Sequence, residues 1–262
     1  MFIDVEDGHL HAQIRGEGPD VVLLNAGAAD LRMWDSTVPW LAGFARVITF
    51  DHRDMGLSSH ATRPYSELDD LAAVLDAFAV DAAVLVGVSD GARRALAFAH
   101  RYPQRVRHVV AAGGAFGDFP DPSPAESAAY AVMREHFAGI IGEADIHAYA
   151  ARDIGAWGAA LDEPDRRLMV GLQVANTYWI RLPESLGTEL DPPVKHRLHE
   201  ITTPVSVVVG GHDFAATQLW AERIASRTPG ATLTVIPRAD HFPMLSAPDP
   251  FRRIVAAAVG GR

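Results

Sequence analysis

The chain has 262 residues, 48% of them hydrophobic, which suits one α/β domain or one such domain with an inserted subdomain. Its 33 acidic and 23 basic residues give a net charge of −10, which argues against nucleic acid or an anionic membrane as a partner. The chain has no cysteine, which excludes disulfides, a thiol nucleophile and a cysteine-rich zinc site.

The N-terminal stretch from Met1 to Asp7 is acidic and strand-like. It lacks the basic stretch and following apolar segment of a secretory signal. No apolar run approaches the roughly 20 residues that a membrane span needs. We therefore expect a cytoplasmic protein.

Apolar runs predict eight strands in chain order, the first two around the tight-turn signal Asp7-Gly8: 2–5, 10–14, 21–24, 46–50, 83–86, 108–112, 205–209 and 232–236. Helical patterns lie between the strands, at 34–41, 68–78, 92–101, 215–227 and 250–259. This alternation predicts an α/β fold with a mostly parallel eight-stranded sheet covered by helices on both faces.

The alternation stops between about Phe116 and Leu198, where only helical patterns such as 127–141 and 165–179 occur. We interpret residues 117–198 as a helical cap, inserted between the core segments 1–116 and 199–262. A cap of this kind excludes water from an active site. The alternative is a helical excursion with no gating role.

Gly87-Val88-Ser89-Asp90-Gly91 is a G-x-S-x-G pattern between a predicted strand and a predicted helix. In that context the pattern is typical of a nucleophile elbow, a sharp turn that exposes a serine hydroxyl at the carboxyl end of a sheet. Glycines on either side allow the strand and the helix to approach closely. Ser89 is therefore the candidate nucleophile for acyl transfer.

A serine nucleophile needs a histidine base, and the base needs a carboxylate to hold its tautomer. Asp213 follows the strand at 205–209, and His241 follows the strand at 232–236. The resulting chain order of serine, acid and histidine fits this architecture. Asp118 is the fallback acid. Asp240 is a poor substitute, because a neighbour in sequence cannot easily face the same ring.

The tetrahedral intermediate of acyl transfer needs preorganised backbone donors for its negative oxygen. One is the amide of Asp90, which directly follows the nucleophile. We assign the other to the loop after the strand at 21–24, with Gly27 as the first choice and Ala28 beside it. The alternative for this loop is a simple strand-to-helix turn.

Together these parts resemble the α/β-hydrolase family over nearly the whole chain, through the stretches 23–27, 51–58, 87–91, 211–213 and 240–241. The Asp51 to Ser58 stretch is similar to that of small-molecule esterases and lactonases, among which polyketide methyl esterases and enol-lactonases are nearest in character. Many relatives have histidine at the position of Asn25 and methionine or glutamine at that of Asp90. Asn25 and Ala28 are candidate substrate contacts.

The family's dehalogenases and epoxide hydrolases use an aspartate nucleophile, which would here be Asp90. The register favours Ser89, because Val88 would then stand where the close approach requires glycine. The ligand types in Asp51-His52-Arg53-Asp54 fit no standard metal spacing. The loops at 25–29 and 113–117 lack G-x-G-x-x-G. We expect neither a metal nor a cofactor.

Trp157, Tyr178 and Trp179 in the predicted cap are candidates to line an apolar substrate pocket, although they could instead pack the cap helices. The leading hypothesis is a cofactor-free serine hydrolase acting on a small carboxylic ester or lactone. A C–C bond hydrolase or a non-hydrolytic tailoring enzyme could use the same residues. A ligand receptor with this fold is a third possibility.

Overall fold

The computed structural model describes residues 1–114, 116–182 and 185–260. Within these residues the chain forms ten strands: β1 (Phe2–Val5), β2 (Gly8–Arg15), β3 (Asp20–Leu24), β4 (Arg46–Phe50), β5 (Tyr65–Ser66), β6 (Ala83–Val88), β7 (Val106–Ala112), β8 (Gly187–Thr188), β9 (Val205–Gly210) and β10 (Thr232–Ile236). Eight of them make one sheet in the order β1-β2-β4-β3-β6-β7-β9-β10, and β5 pairs with β8 separately.

The sheet is mostly parallel, as the sequence predicts. Only β2 runs antiparallel to its neighbours β1 and β4, while β4, β3, β6, β7, β9 and β10 pair in parallel. Strand β6 is buried along its whole length, which explains its unbroken apolar sequence. The turn between β1 and β2 places Asp7 at a φ of 63°, in agreement with the turn signal there.

The described residues form ten α-helices: α1 (Val38–Leu41), α2 (Glu67–Ala77), α3 (Asp90–Arg101), α4 (Pro124–Ile140), α5 (Ile146–Trp157), α6 (Glu163–Ala175), α7 (Thr177–Arg181), α8 (Ala215–Arg227), α9 (Pro243–Ser246) and α10 (Pro248–Gly260). Short 3-10 turns occur at Leu31–Trp34, Pro103–Arg105, Val194–His196 and Leu198–Glu200.

Two apolar clusters cover the two faces of the sheet. Val22 and Leu24 of β3 belong to the cluster that packs against α2, α3 and α8. Val21 and Leu23 belong to the other cluster, which includes residues of α1, α5, α6 and α10. Alternate residues of one strand thus enter opposite layers, as the period of two in a strand requires.

Helices α4 to α7, residues 124–181, lie within the stretch predicted as a cap and are called the helical insertion below. Three of these helices begin at side-chain caps, with Ser123 in a capping box with Glu126, Asp145 before α5 and Asp162 before α6. Helix α5 is not among the helices that the sequence pattern predicts. The pattern also predicts no strand between 117 and 198, whereas the two-residue β8 lies there, after the insertion.

One predicted core helix is also different in the structure. The pattern at 34–41 is split into the 3-10 turn at Leu31–Trp34 and the short helix α1. Pro39 falls in the first turn of α1, where its missing N–H costs nothing, and it cannot serve inside a longer helix.

The turn between β6 and α3 depends on two backbone contacts. A Cβ atom on Gly91 would overlap the carbonyl oxygen of Leu24, and one on Gly87 would overlap the carbonyl oxygen of Gly91. Backbone atoms cannot move aside as a flexible side chain can. Only glycine at these two positions allows the helix to start against the end of β3.

We expect Gly91→Ala to lower the free energy of unfolding by about 1–3 kcal/mol, because the added methyl group must displace backbone. Urea unfolding measures the change. Gly155→Ala is the matched control: an added Cβ there meets nothing within 4 Å, and alanine in place of glycine inside a helix gains roughly 0.5–1 kcal/mol. Equal effects of the two substitutions would contradict the close approach at Gly91.

Candidate active site

Ser89 lies at the carboxyl end of β6 with φ 56° and ψ −116°, a backbone conformation that a residue with a side chain rarely adopts. Its amide donates a 2.8 Å hydrogen bond to the carbonyl oxygen of Ala112 at the end of β7. This bond to the neighbouring strand helps to hold the strained turn, and strained backbone of this kind is typical of functional sites.

Asp213 and His241 meet across the ends of β9 and β10. The distance from His241 Nδ1 to Asp213 Oδ2 is 2.8 Å, and both residues are buried. The second oxygen of Asp213 accepts a 2.7 Å bond from the amide of Phe214. The carboxylate thus favours the tautomer with its proton on Nδ1, which leaves Nε2 as the basic nitrogen.

Gly113, directly after β7, supports this pair and is a residue that the sequence analysis did not single out. It adopts a φ of 56°, and a Cβ atom there would lie 3.0 Å from His241 Nδ1 and 3.4 Å from Asp213 Oδ2. A side chain at this position would press on both residues. The signal in the sequence is the Gly113-Gly114 pair immediately after a strand.

The two alternative acids have other partners. Asp240 is fully buried and accepts bonds from the amide of Phe242, the hydroxyl of Ser246 and the amide of Ala160. Asp118 pairs with Lys195 at 2.6 Å on the surface. Asp240 therefore braces the loop that carries His241, and Asp213 is the carboxylate that contacts the imidazole.

Trp157 joins the helical insertion to the His241 loop. Its carbonyl oxygen accepts a 3.2 Å bond from the amide of His241, and the two rings lie 4.2 Å apart between centroids. The Ala160 amide donates to Asp240 at 2.9 Å. Two hydrogen bonds therefore fasten the insertion to the loop next to the candidate base.

A cavity of about 270 Å³ lies between the core and the helical insertion. It contains both Ser89 and His241, together with five more residues of the sequence prediction: Gly27, Ala28, Asp90, Trp157 and Trp179. Its other lining residues come mainly from the insertion: Ala26, Phe137, Tyr149, Asp153, Ile154, Met169, Gln173 and Phe242.

Two of the predicted substrate contacts lie elsewhere. The Asn25 side chain is fully buried, donates to the carbonyl oxygen of Phe50 at 2.8 Å and accepts from the Trp34 indole at 3.0 Å. Tyr178 is 42% exposed and stacks on His60 at 3.6 Å. Neither side chain is among those that line the cavity. Asn25 instead stabilises the core next to the loop of Gly27.

The Asp90 side chain is neutralised by two arginines of its own helix. It lies 2.7 Å from Arg93 Nε and 2.5 Å from an Arg94 guanidinium nitrogen. Both guanidinium groups also contact Glu67. Burial alone would raise the pKa of Asp90, but the charges of Arg93 and Arg94 outweigh burial and hold that pKa below its usual value.

The stretch Asp51 to Asp54 is a structural turn. Asp51 accepts bonds from His11 and from the amides of Leu31 and Leu57, and Asp54 accepts from the amide of Ala61. No group of three or more metal-ligating side chains that could hold an ion occurs in residues 1–114, 116–182 and 185–260. Across the same residues, no helix is both long and apolar enough to cross a membrane.

The chain belongs to the alpha/beta hydrolase family, whose model matches residues 21–254. It is 30% identical to the zearalenone hydrolase of Bionectria ochroleuca, over 92% of this chain and 89% of that protein. It is 27% identical to the pimeloyl-[acyl-carrier protein] methyl ester esterase of Neisseria meningitidis serogroup B, over 92% and 93% of the two chains.

A solved structure shows the same fold. The enol-lactonase from Burkholderia xenovorans LB400 superposes with a TM-score of 0.76 at 22% identity, over 99% of this chain and all of that one. The family match and the two sequence relatives confirm the predicted resemblance to the α/β-hydrolase family and its small-molecule esterases.

We expect Asp90→Asn to destabilise the protein at neutral pH, because Arg93 and Arg94 lose a charged partner. An aspartate whose pKa is lower in the folded than in the unfolded state stabilises the folded protein. This stabilisation is complete above the unfolded-state pKa of about 4 and is lost as the pH falls through the folded-state pKa. Urea unfolding across this range should show the wild-type advantage shrinking below about pH 4.

The control for this experiment is Asp118→Asn, which removes only an exposed pair with Lys195 and should have little effect at any pH. A wild-type advantage over Asp90→Asn that stayed constant into strong acid would contradict the ion pairing of Asp90.

Proposed function

We propose that the protein is a cofactor-free serine hydrolase that cleaves a small carboxylic ester or lactone through an acyl-enzyme on Ser89. The observation that carries the proposal is the buried His241–Asp213 hydrogen bond of 2.8 Å, in a cavity that also contains Ser89. Ser89 has the strained conformation of an exposed nucleophile.

In this mechanism Nε2 of His241 takes the proton of the Ser89 hydroxyl as Oγ attacks the substrate carbonyl carbon. Asp213 stabilises the imidazolium that forms. His241 then gives the proton to the leaving alcohol oxygen, and the acyl group stays on Ser89. His241 then takes a proton from a water molecule as the water attacks the acyl carbon, and returns it to Ser89 Oγ as the bond to the serine breaks and the acid leaves.

The negative oxygen of the intermediate is assigned to the backbone amides of Asp90 and Gly27. Asp90 is the first residue of the twelve-residue helix α3, where the helix dipole favours negative charge. Gly27 lines the cavity, and Ala28 beside it adopts a φ of 55°. A side chain on Gly27 would approach Trp179 to 3.0 Å, so glycine keeps this wall open.

The substrate class follows from the cavity and from the relatives. A cavity of about 270 Å³ has room for a small molecule or a small acyl group. Two of the sequence relatives are named a zearalenone hydrolase and a methyl ester esterase. The second of these names supports cleavage of an ester.

We assign residues 117–198 the role of a cap over a core of residues 1–116 and 199–262. Six side chains of α5 and α6 line the cavity, and two hydrogen bonds donated or accepted by backbone atoms of the insertion fasten it to the His241 loop. A cap so placed keeps bulk water from the acyl-enzyme until the alcohol has left.

A fluorophosphonate probe tests the nucleophile directly. Mass spectrometry should find one adduct, on Ser89, and none in a folded Ser89→Ala variant. The exposed Ser226→Ala variant should label as the wild type does. A folded wild-type protein that takes no label, or a Ser89→Ala variant that still does, would contradict the proposal.

The acid is tested by comparing Asp213→Asn with Asp118→Asn. Loss of the carboxylate that orients the base lowers kcat by about 10⁴ in comparable sites, so we expect a loss of that order for Asp213→Asn on a nitrophenyl ester. Asp118→Asn should be unaffected. Measurable ligand binding with no turnover in the wild type would favour a receptor instead.

A further inference from the structure

The part of the cavity formed by the helical insertion contains polar side chains that the proposed mechanism does not use. Tyr149 and Asp153 come from α5 and Gln173 comes from α6. All three line the cavity that contains Ser89. Asp153 is 4% and Gln173 6% exposed, so each is buried at a real energetic cost unless its polar atoms are satisfied.

Asp153 is held by three neighbours. Its Oδ1 lies 3.2 Å from His136 Nε2 and accepts a 3.2 Å bond from the Trp157 indole. Its Oδ2 accepts a 2.6 Å bond from the amide nitrogen of Gln173. A carboxylate can only accept, so the NH₂ end of the Gln173 amide must face Asp153.

This arrangement leaves the other end of the amide without a partner. Among the described residues, no donor bonds the buried carbonyl oxygen Oε1 of Gln173. Buried polar atoms without a partner are rare in native proteins and call for an explanation. A ligand that brings its own donor into the cavity would satisfy this atom.

Tyr149 adds a second polar group on the same side. Burial, followed by the charge of Asp153, raises the pKa of Tyr149 to about 12. Its hydroxyl therefore keeps its proton at neutral pH. It can both donate and accept a hydrogen bond.

Most of the other insertion side chains around the cavity are apolar, notably Phe137, Ile154, Met169 and Trp179. The cavity thus has a reactive region at Ser89, apolar walls and a polar region at Tyr149, Asp153 and Gln173. An apolar wall by itself would disfavour a substrate with an additional hydroxyl group. The polar region supplies hydrogen-bonding partners for such a group.

We propose that the substrate carries a hydroxyl or N–H group remote from the scissile carbonyl, and that Gln173 Oε1 accepts its hydrogen while Tyr149 bonds its oxygen or nitrogen. Gln173 and Tyr149 are then specificity-determining residues, and Asp153 is the positioning residue that orients the Gln173 amide. This assignment rests on the proposed ester or lactone hydrolysis and specifies its substrate class.

Matched ester pairs test the assignment. One series compares nitrophenyl esters of straight-chain acids with their terminally hydroxylated counterparts, from about four to eight carbons, and a second places the hydroxyl on the alcohol side. In at least one pair the wild type should prefer the hydroxylated ester by about tenfold in kcat/KM, the effect expected of a buried hydrogen bond.

Gln173→Met keeps the length of the side chain and removes the acceptor, so the preference should fall to near one. Tyr149→Phe should lower the preference in part. Because it disturbs fewer contacts, it keeps the assignment testable if Gln173→Met does not fold. The unsubstituted ester of each pair is the internal reference, so the ratio of the two kcat/KM values is compared and not the basal rate of either variant. Gln104→Met, on the exposed surface, is the matched control.

The outcomes distinguish failure of the substrate assignment from failure of the proposed hydrolase activity. Ester turnover with no preference in any pair, or a preference that persists in both variants, overturns the assignment and leaves the hydrolase intact. A folded wild type with neither ester turnover nor a Ser89 adduct overturns the hydrolase and this assignment with it.

Discussion

Close contact between backbone segments builds the candidate site, and two glycines make it possible. Gly91 lets the start of α3 touch the end of β3, where a Cβ would overlap the Leu24 carbonyl oxygen. Gly210 does the same at the end of β9, where a Cβ would overlap the carbonyl oxygens of Asp240 and Ala239. The first contact brings Ser89 beside the loop of Gly27, and the second brings the His241 loop beside Asp213.

The carboxylate of Asp90, next to Ser89, is held in a network of ion pairs. Arg93 and Arg94 both contact it, their guanidinium groups also contact Glu67, and Arg93 contacts Glu189 as well. In the proposed acyl transfer, a free carboxylate at this position would oppose the negative charge of the intermediate. The ion pairs of Asp90 reduce that opposition at the proposed backbone donors.

Sequence patterns predict those parts of the structure that depend on neighbouring residues or on the order of elements along the chain. Unbroken apolar runs located the strands, and the chain order of Ser89, Asp213 and His241 places all three at one edge of a parallel sheet. The direction of a single side chain was not predictable in this way. Asn25 turns into the core because the Trp34 indole and the Phe50 carbonyl are there to bond it, and neither partner is adjacent in sequence.

Asp153 and Gln173 could not be predicted from the sequence for the same reason, because their role depends on partners that are distant in sequence. The polar group of Asp153 and Gln173 spans two helices, one of them unpredicted, and forms only when α5 and α6 pack together. A lone aspartate in a helical pattern carries no sign of such a partner. Tyr178, by contrast, is an aromatic residue in an apparently suitable helix, yet it stacks outside the cavity on His60.

The bond from the His241 amide to the Trp157 carbonyl oxygen has a consequence for how the cavity admits its substrate. Movement of the end of α5 away from the core breaks this bond and removes the indole from the imidazole face. The position of α5 and the position of the His241 backbone are therefore coupled through one residue.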